Sequence, residues 1–393
     1  MGSDPAKPSG SEAGAKAKAS TQACLRGVNE AGELEDEMSD VTIVGAGISG
    51  LVASINLARS GHSVRILERE KRIGGMPEFR PDPAGSPFDL AAIERYTGID
   101  IAPAVKIIDE SNTYAWGRKF EMPMKASTRM YMVERGARST SLDSLLLEQA
   151  SSLGVAVEFD HPVLTQGDYA LLPEDTIVAT GLKLETYEAL GIPYLPLYGY
   201  YAKGTVDHDR TVVSLWMDDF TRDYAFNCAI NGVCFALLFQ RGRPLSLAAK
   251  EKFVQLLAEN EGWEFPEWRD LVGGACPVGS LHNPMLFKGN KILSGTLAGV
   301  IDPYLFFGML GALVSGKIAA KAIDDKALAY SDFRRTVMTY YPNYIFKRIF
   351  DVVPDFIKRP LVRAGLTVLP AVEELSMKRF AHNIPGWRVA ARP

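Results

Sequence analysis

The stretch from Val41 to Gly75 constrains this chain more than any other part of it. It runs Val41-Thr42-Ile43-Val44, Gly45-Ala46-Gly47-Ile48-Ser49-Gly50, an apolar decade, Gly61, Val64-Arg65-Ile66-Leu67, Glu68 and then Gly74-Gly75. Asp40 to Val44 is a short, β-branched run of the kind that fills a buried parallel strand, after which the chain must turn sharply into a helix. Gly45 allows the turn, Gly47 lets the backbone approach a pyrophosphate with no Cβ in the way, and Gly50 lets the helix pack close to the sheet. Leu51 to Ser60 reads as that helix, closed by Gly61. Its first turn, with Ile48 and Ser49, offers free N–H groups and a positive dipole end to phosphate. Val64–Leu67 is the second strand. Glu68 lies 23 residues beyond Gly45, close to the ~20 expected for an acid that accepts ribose hydroxyls. The layout is that of a site for the ADP half of a dinucleotide.

A lone Gly-x-Gly-x-x-Gly is weak, but here strand, turn, helix, strand and acid agree. Gly74-Gly75, six and seven residues past Glu68, tips the choice from NAD to FAD. The extended arrangement resembles the FAD site of glutathione-reductase-like flavoproteins, among them amine oxidases, desaturases, aromatic hydroxylases and geranylgeranyl reductases. That resemblance implies FAD as cofactor, and it assigns Gly45, Gly47, Ile48, Ser49, Gly50, Glu68, Arg69, Gly75 and Met76 to the cofactor site. It also implies an α/β fold, with a discontinuous Rossmann-like FAD domain and an inserted α+β substrate domain on an antiparallel sheet.

A chain of 393 residues exceeds one ordinary core and suggests intertwined domains. We assign 38–80, 126–185 and 286–330 to the FAD domain, 81–125 and 186–285 to the substrate domain, and 331–393 to a C-terminal helical segment. Residues 1–37 lack an apolar run, end in Glu33-Leu34-Glu35-Asp36-Glu37, and read as a disordered extension before Met38, with Cys24 incidental. The net charge of −4, with balanced signs, gives no nucleic-acid footprint. Four irregularly spaced cysteines offer neither a disulfide framework nor a metal pattern, which makes a cytoplasmic location the default.

The second FAD piece runs from Tyr131 through Arg135-Gly136 into a helix near Ser141–Ala150 and an alternating strand at Gly154–Phe159. It resembles the Arg-x(n)-Asp-x-x-Leu segment of geranylgeranyl reductases and flavin hydroxylases, which makes Arg135 a candidate for the flavin's ribityl-phosphate region; a solvated surface arginine is the alternative. Asp175–Gly181 is a buried strand ending in Ala179-Thr180-Gly181. Hydroxylases and most geranylgeranyl reductases have Ala-Asp-Gly there, whereas Leu182-Lys183-Leu184-Glu185 follows here.

The third piece, Lys291–Pro303 and Gly308–Ala320, reads as a strand, a turn and a helix beginning around Pro303, its positive end aimed at the flavin pyrimidine. It resembles the family's Gly-Asp-Ala-Ala-Gly, Asp-Pro and Ser-Gly-x-x-Ala-Ala series, which implies cofactor roles for Thr296, Gly299, Asp302, Pro303 and Gly308. Thr296 stands where an aspartate is expected, and Phe306 where the first of two glycines usually sits.

Between the pieces lie Tyr198–Tyr201, Val212–Met217 and Tyr224–Phe239. Asn231-Gly232 marks a two-residue hairpin, so Ile230 faces Val233, Ala229 faces Cys234 and Cys228 faces Phe235. Cys228 and Cys234 then lie on opposite faces, with no disulfide between them. The aromatic content suits either core or a lid over the flavin, to which Tyr304, Phe306 and Phe307 would add apolar walls.

The chain is most similar to the geranylgeranyl reductase group. The resemblance implies an enzyme that reduces or desaturates carbon–carbon double bonds in a hydrophobic, isoprenoid or lipid-like substrate, by hydride transfer through flavin N5. The resemblance also implies an external electron donor, either NAD(P)H or a ferredoxin-like carrier, and leaves the choice open. An oxidase or monooxygenase, and a non-catalytic flavin-binding protein, remain the alternatives. No catalytic side chain is assigned. His62, His161, His208, His282 and His382 are scattered, and Cys228, Cys276 and Tyr224 are only pocket candidates. No metal is expected.

From Asn343 to Leu369, Ile345, Phe346, Ile349, Phe350, Val353, Phe356 and Ile357 recur at helical spacing with Lys347, Arg348, Asp351, Asp355, Lys358 and Arg359 between them. Pro354 and Pro360 should divide this into short helices. The stripe either docks on the protein's own core or rests on a membrane surface as a peripheral contact.

Overall fold

The computed structural model describes residues 40–122, 130–277 and 283–369. The expectations for residues 1–37, Cys24, Met38, His282 and His382 lie outside the described residues.

The β-branched runs form a six-stranded sheet in the order Phe287–Lys288, Lys291–Leu293, Ile177–Val178, Asp40–Val44, Ser63–Leu67, Ala156–Glu158. All its pairs are parallel except the first hairpin. Two strands are shorter than the sequence pattern suggests. Asp175 turns left-handed (φ 59°) just before Ile177, and Asp160 (φ 58°) turns the chain away after Glu158. Helix Ile48–Arg59 follows the first strand, and helix Met309–Asp324 packs directly against it. Gly316 makes the approach: a Cβ there would meet Ser49 O at 2.6 Å. Both helices bury nearly every apolar side chain, which is why neither shows a clean amphipathic stripe in the sequence.

The antiparallel sheet is also present, with seven strands in the order Arg269–Pro277, Tyr194–Thr205, Val233–Arg241, Ala225–Ile230, Val212–Met217, Glu110–Ala115, Arg118–Glu121. One pair, Val212–Met217 with Glu110–Ala115, is parallel. Asn231 (φ 53°) and Gly232 (φ 74°) make the hairpin turn, and the pairs 230/233, 229/234 and 228/235 are those the turn predicts. Cys228 and Cys234 are free thiols. Trp216 does not line a lid: it stacks on Tyr114 at 4.0 Å and packs edge-on against Phe253 of helix Leu247–Glu261, inside a core of its own. A three-stranded sheet, Asp82–Pro87, Met130–Arg135, Val105–Ile107, joins segments from either side of residues 123–129.

Helix Lys326–Met338 covers Met309–Asp324 and buries Phe333 and Val337. Two further helices follow, Tyr341–Val352 and Asp355–Val368. Pro354 separates them as expected, but Pro360 does not break the second helix; it lies inside it. Its missing N–H forfeits one bond on an exposed turn, where water can take the freed carbonyl. No residue of either helix is buried.

Candidate cofactor site

The strand ends of the parallel sheet bring the first glycine turn, Glu68, the Thr180 turn and the 294–308 segment into contact. Gly45 needs its glycine twice over: φ is 100°, and a Cβ would lie 2.7 Å from Ala179 O. Gly50 is packed harder, with the position of a Cβ 2.0 Å from Gly45 O. Gly47 is different. Its backbone is extended (φ −78°, ψ 179°), and the nearest atom to an added Cβ is Ala179 O at 3.9 Å, so the space beside it is open. Gly47 caps helix Ile48–Arg59 without a side-chain bond, and the first turn holds no acid, which leaves its N–H groups to an anion.

Glu68 is buried, and its carboxylate accepts from Ala46 N–H at 2.7 Å and Glu70 N–H at 2.9 Å. These bonds fix the group while leaving each oxygen a free lone pair. Arg69 bonds Glu70 at 3.1 Å and Glu185 at 3.4 Å. Lys183 reaches the same spot, its Nζ 3.7 Å from Glu70 Oε1, and burial together with the Arg69 charge pulls its pKa down to about 8. The Lys183 ammonium and the Thr180 hydroxyl are buried with no hydrogen-bond partner. Gly181 (φ 70°) beside them has empty space where a Cβ would go. Unsatisfied buried polar atoms around a ribose-type acid fit a polar ligand such as the adenosine end of FAD. Neither Lys183 nor Glu185 stood out in the sequence. The signal was the departure after Ala-Thr-Gly, where two charges follow a buried strand.

The second glycine pair touches the Arg135 segment, since a Cβ on Gly74 would overlap Gly136 at 2.4 Å from its Cα. Met76 O accepts from the N–H groups of Phe79 and Arg80 and so shapes the loop after Gly75. Arg135 is not a solvated arginine. It forms a two-pronged pair with the fully buried Asp143, at 2.8 and 2.9 Å, and Asp143 also accepts from Gly136 N–H at 2.9 Å. Burial pushes the Asp143 pKa up, but the Arg135 charge and its bonds outweigh this and hold it below the usual carboxylate range.

In the third piece the helix starts at Met309, with Gly308 as its cap, six residues later than Pro303 suggested. Asp302 is the reason. One of its oxygens accepts from the N–H groups of Tyr304 and Leu305 (2.9 and 2.6 Å), and the other from Asn343. Both oxygens are thus spent on the protein, and the residue shapes the loop. Phe306 then takes φ 61°, a conformation that favours glycine and costs most residues about 1–2 kcal/mol. The backbone of this position therefore takes a glycine-like conformation with a phenylalanine in it. Thr296 and Gly308 are neighbours: a Cβ on Gly308 would lie 3.4 Å from Thr296 Oγ1. Gly295 approaches Ser49, and Gly299 (φ 81°) fits tightly against Pro284.

Arg241, which the sequence reading missed at the end of an apolar strand, pins this loop. It donates to Pro303 O at 2.8 Å, pairs with Asp223, and lies 5.2 Å from the Phe306 ring centre. Burial raises Asp223, yet Arg241 and Lys347 hold it below the usual carboxylate range. Tyr224 donates to Leu305 O. Tyr224, Phe239, Leu197 and Cys276 form an apolar cluster on the antiparallel sheet, against which Leu305 and Phe306 pack. The histidines stay apart from this region: His62 bonds Asp324 at 2.8 Å, His161 pairs with Glu158 at 3.2 Å, and His208 sits on a loop. Among the described residues no His, Cys, Asp and Glu cluster could hold a metal ion.

Residues 43–94 match the NAD(P)-binding Rossmann-like domain. Over 133 residues the chain is 32% identical to a 4,4'-diapophytoene desaturase of Staphylococcus haemolyticus, a stretch that is 32% of this chain and 23% of that protein. The chain spans less than a quarter of the curated relatives it matches first. In shape it is similar to a geranylgeranyl bacteriochlorophyll reductase-like protein of Thermoplasma acidophilum. The TM-score is 0.65 at 15% identity, over 88% of this chain and 96% of that one. It is also similar to p-nitrophenol 4-monooxygenase of Pseudomonas putida, with a TM-score of 0.60 at 14% identity, over 88% and 99%. The chain thus carries an NAD(P)-binding Rossmann-like domain at residues 43–94 and shares the fold of these two solved structures.

Proposed function

We propose that the chain binds FAD and reduces or desaturates a carbon–carbon double bond in a hydrophobic, isoprenoid or lipid-like molecule. Gly45–Gly50 would hold the pyrophosphate of the ADP half, Glu68 its ribose, and Arg69, Lys183 and Thr180 its adenosine, while Gly75, Met76, Arg135, Gly181, Thr296, Gly299 and the 302–308 loop would hold the flavin half. When bound, FAD supplies the hydride or electron transfer. The protein contributes orientation, exclusion of water, and the positive end of helix Met309–Asp324.

The observation that carries the substrate class is the apolar cluster of Leu197, Tyr224, Phe239 and Cys276 facing Leu305 and Phe306. The charged groups nearest this cluster, Arg241 and Asp223, are paired with each other. A charged metabolite would find no free counter-charge there, whereas an alkene chain needs none. The electron donor, NAD(P)H or a ferredoxin-like protein, is part of the same proposal. A monooxygenase is the second reading, favoured by the likeness in shape to p-nitrophenol 4-monooxygenase.

The test is anaerobic incubation of the FAD-loaded protein with an isoprenoid lipid extract and a chemical reductant, followed by mass spectrometry. Products should gain hydrogen in pairs. No mass change with any isoprenoid or fatty lipid, together with rapid turnover of a charged metabolite, would overturn the substrate class.

A further inference from the structure

Eight buried side-chain polar atoms among the described residues have no hydrogen-bond partner, and three of them fall within six residues of one another: Thr180 Oγ1, Lys183 Nζ and Glu185 Oε2. The other five are scattered over Ser86, Glu134, His208, Trp268 and Arg359. Native interiors seldom leave such atoms unpaired, so a run of them points to a polar ligand. The backbone holds this segment without help from these side chains. Leu182 O accepts from Ala275 N–H at 2.9 Å, Lys183 bridges to Gly274, and helix Leu184–Ala189 starts at Lys183 with no side-chain cap. The Lys183 ammonium is therefore not needed for the local fold. It is buried at a cost, since burial, and then the Arg69 charge, pulls its pKa down to about 8.

The charged groups acting on Lys183 are the ribose acid and its neighbours. Glu68, Arg69 and Glu70 come from the segment after the second strand, and Glu185 from the short helix; the three carboxylates favour the ammonium and Arg69 opposes it. None of the three carboxylates hydrogen-bonds it. Glu70 Oε1, 3.7 Å away, already accepts from Arg69 Nε. Glu68 accepts from the N–H groups of Ala46 and Glu70, and Glu185 is held through its other oxygen by Arg69. Tyr169, on helix Gln166–Leu171, bonds Thr186, and burial pushes its pKa up to about 12.

The unpaired atoms define what they can bind. Lys183 offers N–H donors only, Thr180 a hydroxyl that donates and accepts, and Glu185 an acceptor. Adenosine carries the complement: ring nitrogens and ribose oxygens that accept, and an exocyclic amine that donates. A phosphate would suit Lys183 but not the carboxylates of Glu68 and Glu70 beside it.

We propose that residues 180–185 form a wall of the adenosine pocket, with the Lys183 ammonium as its charged donor to the adenosine half of FAD. The proposal rests on the FAD reading above and deepens it. It is tested by calorimetric titration of the FAD-free full chain with FAD and with ADP, at pH 7 and pH 9, for the wild type, Lys183→Met and Lys183→Arg. At pH 7 Lys183→Met should bind both ligands about tenfold more weakly, by the same factor, since both carry the adenosine half. Thermal unfolding of FAD-free Lys183→Met should match or exceed the wild type, because an ammonium without a hydrogen bond leaves the interior. Wild-type affinity should fall about tenfold from pH 7 to pH 9, because the charged form binds and only about one free Lys183 in ten keeps its proton at the higher pH. Lys183→Arg, charged throughout, should show no such fall. The proposal alone is overturned if the wild type binds FAD and Lys183→Met binds it equally well, or if the variant loses FAD but not ADP. It is also overturned if the FAD-free Met variant is less stable than the wild type, or if the fall with pH survives in it. A wild type that binds neither FAD nor ADP overturns the FAD reading and this one with it.

Discussion

Replacing Asp143 by alanine separates what Arg135 does for the fold from what it does for the cofactor. The carboxylate is fully buried and holds Arg135 by two bonds and Gly136 N–H by a third. Removing one member of a buried pair leaves the other charge uncompensated, which typically costs about 3–5 kcal/mol. Asp82, also buried, stays close enough to act on the Arg135 charge, so the loss should fall at the low end, about 3 kcal/mol. Against a total stability of roughly 5–15 kcal/mol this is large. Urea unfolding of FAD-free protein, followed by tryptophan fluorescence, reads it as a shifted midpoint. The double variant Arg135→Met with Asp143→Leu should regain most of the stability, since an apolar pair can replace a buried ionic one. Its FAD affinity should nevertheless stay at least about tenfold down, because a charged hydrogen bond to phosphate is worth about 1.5–3 kcal/mol. If Asp143→Ala costs under about 1 kcal/mol, the pair is effectively solvated and the reasoning fails. If the double variant binds FAD as the wild type does, Arg135 is scaffold alone.

The same pair sets a pH dependence. The folded pKa of Asp143 lies below its ordinary value of 3.8. Its contribution is therefore fully present above the unfolded value and is lost as pH falls through the lowered folded one. Asp82 works the other way: burial, only partly offset by Arg80 and Arg135, raises its pKa, so its protonation favours the folded state as pH falls. Wild-type stability should drop below pH ~4, and the drop should be shallower in Asp143→Ala.

The glycine turn gives a contrasting pair. Gly50→Ala should fail to fold, because its Cβ would sit 2.0 Å from Gly45 O, whereas Gly47→Val should fold and come out colourless, since only a bound pyrophosphate would object to it. Glu68→Ala should also strip the flavin, and a wild type that cannot be loaded with FAD would remove the basis of the whole reading. At position 306 alanine should be worse than glycine by about 1 kcal/mol in thermal unfolding, because both lose the ring but only glycine sheds the left-handed strain. Reduced protein mixed with air should reoxidise slowly and give no hydroxylated product; a hydroxylated product in mass spectrometry would move the assignment to a monooxygenase.

The nucleotide half was legible in the sequence because its demands are local. A turn at Gly45, a close approach at Gly50 and an acid after the second strand leave few residue choices, and each shows at its own position. The hairpin register followed from Asn231-Gly232 for the same reason. What the sequence hid depends on partners far along the chain. Arg135 read as a candidate for the cofactor's ribityl-phosphate region, and its partner stayed hidden because nothing in the local pattern says that Asp143 turns inward. Arg241 looked like the end of a strand, yet it ties Pro303 and Asp223 together across 62 and 18 residues. Pro303 looked like the first residue of a helix, yet Asp302 spends its carboxylate on the next two N–H groups and delays the helix to Met309. That delay bears on function. Residues 303–308 become a loop rather than a helical turn, and Phe306 takes the glycine-like conformation that turns its ring toward Phe239 and Arg241. A glycine would leave that space open. The phenylalanine fills it with apolar surface, and the 1–2 kcal/mol or so of backbone strain it carries is balanced by the ring's contacts. Phe306, which stands where the resembled family usually has glycine, thus sets an apolar ring against Phe239 and Arg241 that a glycine could not supply.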